Sequence, residues 1–450
     1  MNSRLFCLVA ALAASITQVS AQAPAWLWAR TGGGATATDN CRGAACDAAG
    51  ATYITGDFTG ANCLVGGTLF NSASAAADAY VIRYLADGSP AWVRVLGGAG
   101  SESGVDIDTD STSAAILTGT YGTPTLNCGT NPSGQTVTVT TPAGTRGVLV
   151  MKLNAAGQTE WASGFSGSGT AAGNEVATGP SDEILVTGPF AQNGGTTLTL
   201  PNSATLTKVG GDQDVFVAKF SSAGAFLWGF GLNGDGHEEG RGISADAAGN
   251  VLVCGEFDGN LTLGTNAHQT AGLSDIFVAK YDASGAFLWS RAFGSTGADA
   301  GRGIDPAPDG GVYVSGEFSG TVTFDSFTLT AAGTTKDLFL IKLDALGVVQ
   351  WARSFGSTAS DSGCEIESDA AGNIYCAGSA ATGLTFPGGV TLGSAGGSDQ
   401  FVAKFDPNGT LLWARNGGGP GSDVNFALGL DPQGRVTVVG FYSGSTTYGP

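Results

Sequence analysis

A tryptophan recurs at Trp28, Trp92, Trp161, Trp228, Trp289, Trp351 and Trp413, at intervals of 61 to 69 residues. Regular internal repetition constrains a chain more tightly than composition does. Each unit must be a small structural block that buries its apolar face against the next copy. Three copies agree closely: Asp214 to Trp228, Asp275 to Trp289 and Asp399 to Trp413 all read Asp-x-Phe-Val-Ala-Lys, then a Gly-containing polar turn, then Trp. A second half-unit runs from Gly242 to Phe257, and Gly303 to Phe318 and Cys364 to Gly378 follow it.

Each half-unit reads as a β-hairpin. Short β-prone runs flank turns that end in Gly or Asn, the residues that tolerate positive φ. Two hairpins per period make a four-stranded antiparallel sheet, with strands labelled a (near Ile243), b (Val251 to Phe257), c (Ile276 to Tyr281) and d (Phe287 to Phe293). No segment keeps a helical apolar period over three turns. The abundance of glycine, 74 residues in 450, fits many tight turns. These features predict an all-β fold, a seven-bladed β-propeller of four-stranded antiparallel blades.

The strand count is uneven. Strands a and b occur seven times, but the c pattern occurs six times, starting near Asp78, Gly147, Asp214, Asp275, Asp337 and Asp399. Trp26 to Arg30 would supply an N-terminal d strand. The last blade is therefore expected to be incomplete, closed by that N-terminal strand, with its repeat truncated at Pro450.

The composite pattern G-x-x-I-x-x-D-x-x-G-N-V-Y-V-x-G-x-F, then D-x-F-V-A-K-x-D-x-x-G-x-x-x-W, resembles the bacterial SBBP (seven-bladed β-propeller) repeat family. The resemblance spans residues 26–450 and is sharpest from Asp214 to Gly378. It implies a secreted or surface protein and supplies no catalytic residues.

Residues 1–21 read as a signal peptide. Arg4 is the positive flank, Leu5 to Ala14 the apolar stretch, and Val19-Ser20-Ala21 the small-residue cleavage site. The mature propeller would then span residues 22–450, be secreted or held at the cell surface, and have no transmembrane segment. A monomer is expected. The net charge of −19 argues against nucleic acid as a partner. Seven cysteines follow the leader, and Cys364 with Cys376, flanking one hairpin turn, form the best disulfide candidate.

An acid precedes strand a in nearly every blade: Asp39, Glu102, Glu238, Asp299, Asp361 and Asp423, with Ala171 in the third. Such a ring near the channel mouth would suit a hard cation such as Ca²⁺, the one cofactor this chain suggests. Carboxylates in Gly-rich loops also commonly bond their own backbone, and repetition in every blade favours that structural role. The same holds for the strand-c bases Arg83, Lys152, Lys219, Lys280, Lys342 and Lys404, which read as repeated ion pairs, and for the tryptophans, which read as packing between blades.

Function is better sought where the copies disagree. His237 lies in the most acidic of these loops, and Asp235, His237, Glu238 and Glu239 form the candidate binding cluster. A solvated polar loop is the plainer explanation. No nucleophile elbow, zinc, P-loop or dinucleotide motif occurs. The leading expectation is a non-catalytic module that binds or scaffolds an extracellular protein or glycan. The alternatives are an extracellular propeller enzyme acting on polysaccharide, a lyase or glycosidase, and a Ca²⁺-stabilised structural surface protein.

Overall fold

The computed structural model describes residues 4–10, 25–34, 39–142 and 144–443, and every regular element in them is a β-strand. The chain forms a β-propeller. Six four-stranded antiparallel sheets are each cut from one continuous stretch, in the order a-b-c-d. Glu238–Ala245, Val251–Phe257, Asp275–Tyr281 and Phe287–Phe293 make one such blade. Its central strands are apolar runs because both their faces are covered by neighbouring blades. Asp214–Phe220 and Ile184–Phe190 are buried at every position.

The inner a strands neighbour one another around the axis. The ring closes where Asp423–Leu430 lies beside Asn40–Cys46. A further four-stranded sheet joins the two ends of the chain, in the order Asp423–Leu430, Val436–Tyr442, Arg4–Ala10, Trp26–Gly32. The expected N-terminal closing strand is therefore present. The expected gap is not, because Arg4–Ala10 fills the c position, in register from Arg4 opposite Tyr442 to Ala10 opposite Val436. The physical reason is local ambiguity: an apolar stretch short enough for a leader also suits a covered strand. The cleavage site and Pro450 lie outside the described residues.

Blades are stitched by the tryptophans. The Nε1 atoms of Trp28, Trp92, Trp161, Trp228, Trp289 and Trp351 donate to the carbonyls of Ala86, Ala155, Ser222, Ala283, Ala345 and Pro407, each in the c–d turn of the following blade. The strand-c bases pair as expected, but within their own blade. Lys152 meets Asp110 at 2.6 Å and Lys280 meets Asp246 at 2.8 Å, tying strand c to the a–b turn. The b–c inserts form small hairpins. Two of them extend the sheet of the preceding blade, Thr197–Thr199 on Thr159–Gly167 and Asn260–Leu263 on Phe226–Gly234.

Cys364 and Cys376 are free thiols, not the expected disulfide. The residue opposite Cys376 is Ile366, and Cys364 is the extra residue of a bulge between Gly363 and Glu365. The two buried thiols nevertheless lie within hydrogen-bond reach of each other, side by side as the hairpin turn had suggested.

Candidate functional site: the axial channel

Strand a carries the same irregularity in most blades. The ladder skips one residue at Arg42, Arg241, Arg302, Cys364 and Phe426, and at Val105 in the second blade. A bulge re-aims the extra residue and the residues beyond it. Here it turns three arginines toward the axis, where a cavity of about 540 Å³ opens. Every inner strand among the described residues contributes to its lining, including Asp423–Leu430 of the closing sheet.

The lining is layered by register. Arg42, Asn174, Arg241 and Arg302 lie at the bulge level. One residue further along each strand stand Asp106, Glu175 and Glu365, where other blades have Gly43, Gly242, Gly303 and Ala427. Two residues further still stand Asp108, Asp305 and Glu367, where others have Ala45, Ala177, Ser244 and Gly429. The small residues leave the space that the long acids occupy. At Gly43 a side chain would meet the Asp106 backbone at 2.7 Å.

The arginines are neutralised. Arg42 pairs with Asp57 at 2.6 Å, Arg241 with Glu239 at 2.9 Å and with Glu256 at 2.5 Å, and Arg302 with Glu317 at 3.2 Å. Four of the acids reach across to the next blade. Asp106 accepts from the Val176 amide at 2.9 Å, Asp108 from Thr178 at 2.7 Å, Asp305 from Ser368 at 2.9 Å and Glu367 from Leu430 at 3.0 Å. An inner strand has an unpaired edge, and these carboxylates satisfy its N–H groups. Glu175 and Glu365 have no such main-chain donor; their surroundings are the other acids and, for Glu365, Arg302 and Arg241.

Burial dominates the electrostatics. It pushes Asp106 and Asp305 up to about 7 and Glu365 up to about 8, and carries Glu175 and Glu367 well above the carboxylate range. Neighbouring acids raise Glu175 further, chiefly Asp106 and then Glu365. The channel is thus a set of carboxyl groups that hold protons near neutrality, beneath a level of paired arginines.

The candidate cluster at His237 is split. Asp235 caps the Asn260 side chain and amide on the surface. His237 sits 3.7 Å from Glu239 and 3.3 Å from Gln213, and its bond to Glu239 raises its pKa. Glu239 does reach the channel, where Asn174 and Arg241 hold it. Glu238 points the other way and is fully buried beside Asp214.

The acidic ring does not line the channel. Asp39, Glu102, Glu238, Asp299, Asp361 and Asp423 are all fully buried. They accept main-chain amides of their own loops, as Asp39 does from Gly34 at 2.5 Å, Asp299 from Ser295 at 2.5 Å, and Asp423 from Gly419 at 2.7 Å. Turn donors draw them inward, so they share no common site at the mouth. Among the described residues no three His, Cys, Asp or Glu side chains converge as a metal centre. The channel acids themselves were missed by pattern reading. The available signal was the position two after the shared Gly of strand a, where Asp, Glu, Gly and Ala alternate between copies.

No family model matches the chain. It is 23% identical over 445 residues to an uncharacterised WD repeat-containing protein of Acanthamoeba polyphaga mimivirus, covering 80% of this chain and 32% of that one. It is 29% identical over 147 residues to the regulatory protein FlaEY of Caulobacter vibrioides, covering 32% of this chain and 15% of that one. The chain thus spans a third or less of the length of these relatives. Among solved structures it is similar to Sqt1 from Chaetomium thermophilum, at 9% identity and a TM-score of 0.41 over 90% of this chain and 97% of that one. A puromycin hydrolase gives 14% identity and a TM-score of 0.38 over 88% of this chain and 49% of that one. Among the described residues no helix is long and apolar enough to cross a membrane.

Proposed function

We propose that this protein is an exported, non-catalytic propeller that closes as a seven-bladed ring of the SBBP type and binds an extracellular protein or glycan at its axial channel and the loops around it. One observation carries the reading. Residues repeated in every blade serve each blade, whereas the residues that differ between copies gather on the axis, at Arg42, Asp106, Asn174, Glu175, Arg241, Arg302 and Glu365. A ring selected only for stability has no need of such asymmetry at its centre. The pairing of the arginines and of four acids supports binding over catalysis, because those groups are already committed to partners within the protein.

The test is a glycan and peptide array probed with the protein and with a Glu175→Gln, Glu365→Gln double variant. A ligand retained by the protein and weakened at least tenfold in the variant supports the channel reading. Equal binding by both removes the channel from it. One observation favours a second reading: burial raises Glu365 to about 8, so that it holds a proton near neutrality as a general acid does. Release of new chain ends from a polysaccharide by the protein, lost in the double variant, would replace the binding reading with a lyase or glycosidase.

A further inference from the structure

The buried acids that precede strand a are not alone. Each interacts electrostatically with the Asp that opens strand c of the preceding blade. The pairs are Asp78 with Glu102, Asp214 with Glu238, Asp275 with Asp299, Asp337 with Asp361, and Asp399 with Asp423. All ten side chains belong to residues no more than 3% exposed. Main-chain bonds fix most pairs side by side: the Glu102 amide donates to the Ala77 carbonyl at 2.8 Å, Asp299 to Ser274 at 2.9 Å, and Asp423 to Ser398 at 2.6 Å.

We propose that these five blade junctions are Ca²⁺ sites, each cation bridging the strand-c aspartate and the acid that leads into the next strand a.

Three observations converge. First, buried carboxylate oxygens are left without a donor. They include Oδ1 of Asp78, Asp214, Asp275, Asp337 and Asp399, and Oε2 of Glu102 and Glu238, with Oδ1 of Asp423. Every pair contributes at least one. Burying two acids together without a cation or a proton is strongly unfavourable. Second, main chain without a side chain faces them. Gly97, Gly234, Gly294, Gly356 and Gly418 each face a carboxyl group of a pair, and a Cβ there would collide with it.

Third, one junction lacks both acids. In the second blade strand c opens with Gly147, and the following loop carries Ala171. That junction keeps its main-chain link, Ala171 to the Arg146 carbonyl at 3.1 Å, with neither acid. The backbone geometry of the junction therefore does not require the carboxylates. At Asp39 the matching register position is held by Arg4, so that junction has a single acid. Two carboxylates with main-chain carbonyls and water make an all-oxygen set, which suits Ca²⁺ and not a soft metal.

The experiment is metal analysis and thermal unfolding of the full chain, dialysed with millimolar CaCl₂ or with chelator. The expected result is close to five Ca²⁺ bound per chain and a Tm that rises by several degrees and saturates. A variant copying the second blade, Asp275→Gly with Asp299→Ala, should fold and bind one Ca²⁺ fewer. No bound Ca²⁺ and no Tm shift overturns the proposal and assigns the pairs to shared protons. Ca²⁺ bound equally by protein and variant overturns the assignment of the site. Neither outcome depends on ligand capture by the channel.

Discussion

The indole N–H of Trp92 donates to the main-chain carbonyl of Ala155 at 3.0 Å, from strand d of one blade to the c–d turn of the next. The same turn carries Gly157, at φ +78°, packed flat against the Trp92 ring. One residue in each of two consecutive repeats thus sets the spacing between blades. Removing the Cβ-free contact should cost more than removing the hydrogen bond. Trp92→Phe is expected to lose about 1 kcal/mol, the worth of one such bond. Gly157→Ala adds a Cβ in a left-handed conformation against the ring and should lose about 1–3 kcal/mol. Urea unfolding of the two variants checks the order.

Lys152 and Asp110 form an almost fully buried ion pair at 2.6 Å. Burial would raise Asp110, but Lys152, Thr112 and main-chain amides outweigh it and hold it below the usual range. Lys152→Met leaves that acid uncompensated and should destabilise by about 3–5 kcal/mol. Since the folded pKa is depressed, the pair's contribution is present above the unfolded value near 4 and lost as pH falls through the folded one. The wild-type minus variant difference should therefore shrink below about pH 4 in chemical unfolding.

The channel acids have the opposite sign. Asp106 and Asp305 near 7 and Glu365 near 8 bind protons more tightly folded than unfolded. Their contribution is full below the unfolded pKa and is lost as pH rises through about 7 to 8. Stability should decline from pH 5 to pH 8, and an Asp305→Asn, Glu365→Gln variant should flatten that decline. Tm measured across that range decides it; an unchanged slope in the variant would assign the pH dependence elsewhere.

Export and the closing sheet make competing demands on the same residues. If the leader is removed after Ala21, Arg4–Ala10 leaves the sheet, and Val436–Tyr442 loses its partner strand. N-terminal sequencing of protein secreted from a bacterial host should then begin at Gln22. Its amides at 436–442 should exchange faster than those of Val251–Phe257, which keeps both neighbours. A mature chain that retains Arg4 would sink the leader reading and make the N-terminal strand a permanent part of the fold.

Much of the blade was legible in the chain because it is local. The turn at Asp246 to Gly249, the run Asp275 to Tyr281 and the pairing of Lys280 with Asp246 lie within 36 residues and repeat. The pairing of Trp28, Trp92 and their equivalents with the next blade followed from equal spacing. The candidate site was less legible. The acidic loop around His237 stands out in the sequence, and its Glu239 does reach the channel, whereas Asp106, Glu175 and Glu365 belong to no motif along the chain. Cys364 and Cys376 do lie side by side, but as free thiols, and the bulge that takes Cys364 out of the ladder is not visible in a hairpin pattern.

The sequence by itself determined the period, the strand order within a blade and the structural character of the repeated Trp and Lys residues. Each depends on contacts between residues close in the chain, or on a spacing that all copies share. Only the tertiary structure decided what lies between copies. It brought Glu175 and Glu365, 190 residues apart, into one channel, set Asp275 against Asp299, and placed Arg4–Ala10 beside Val436–Tyr442. Such contacts follow from ring closure, and a side chain's neighbours across a ring are not encoded in its neighbours along the strand. The tryptophan repeat predicted that the blades would close on one another; the structure showed which residues meet when they do.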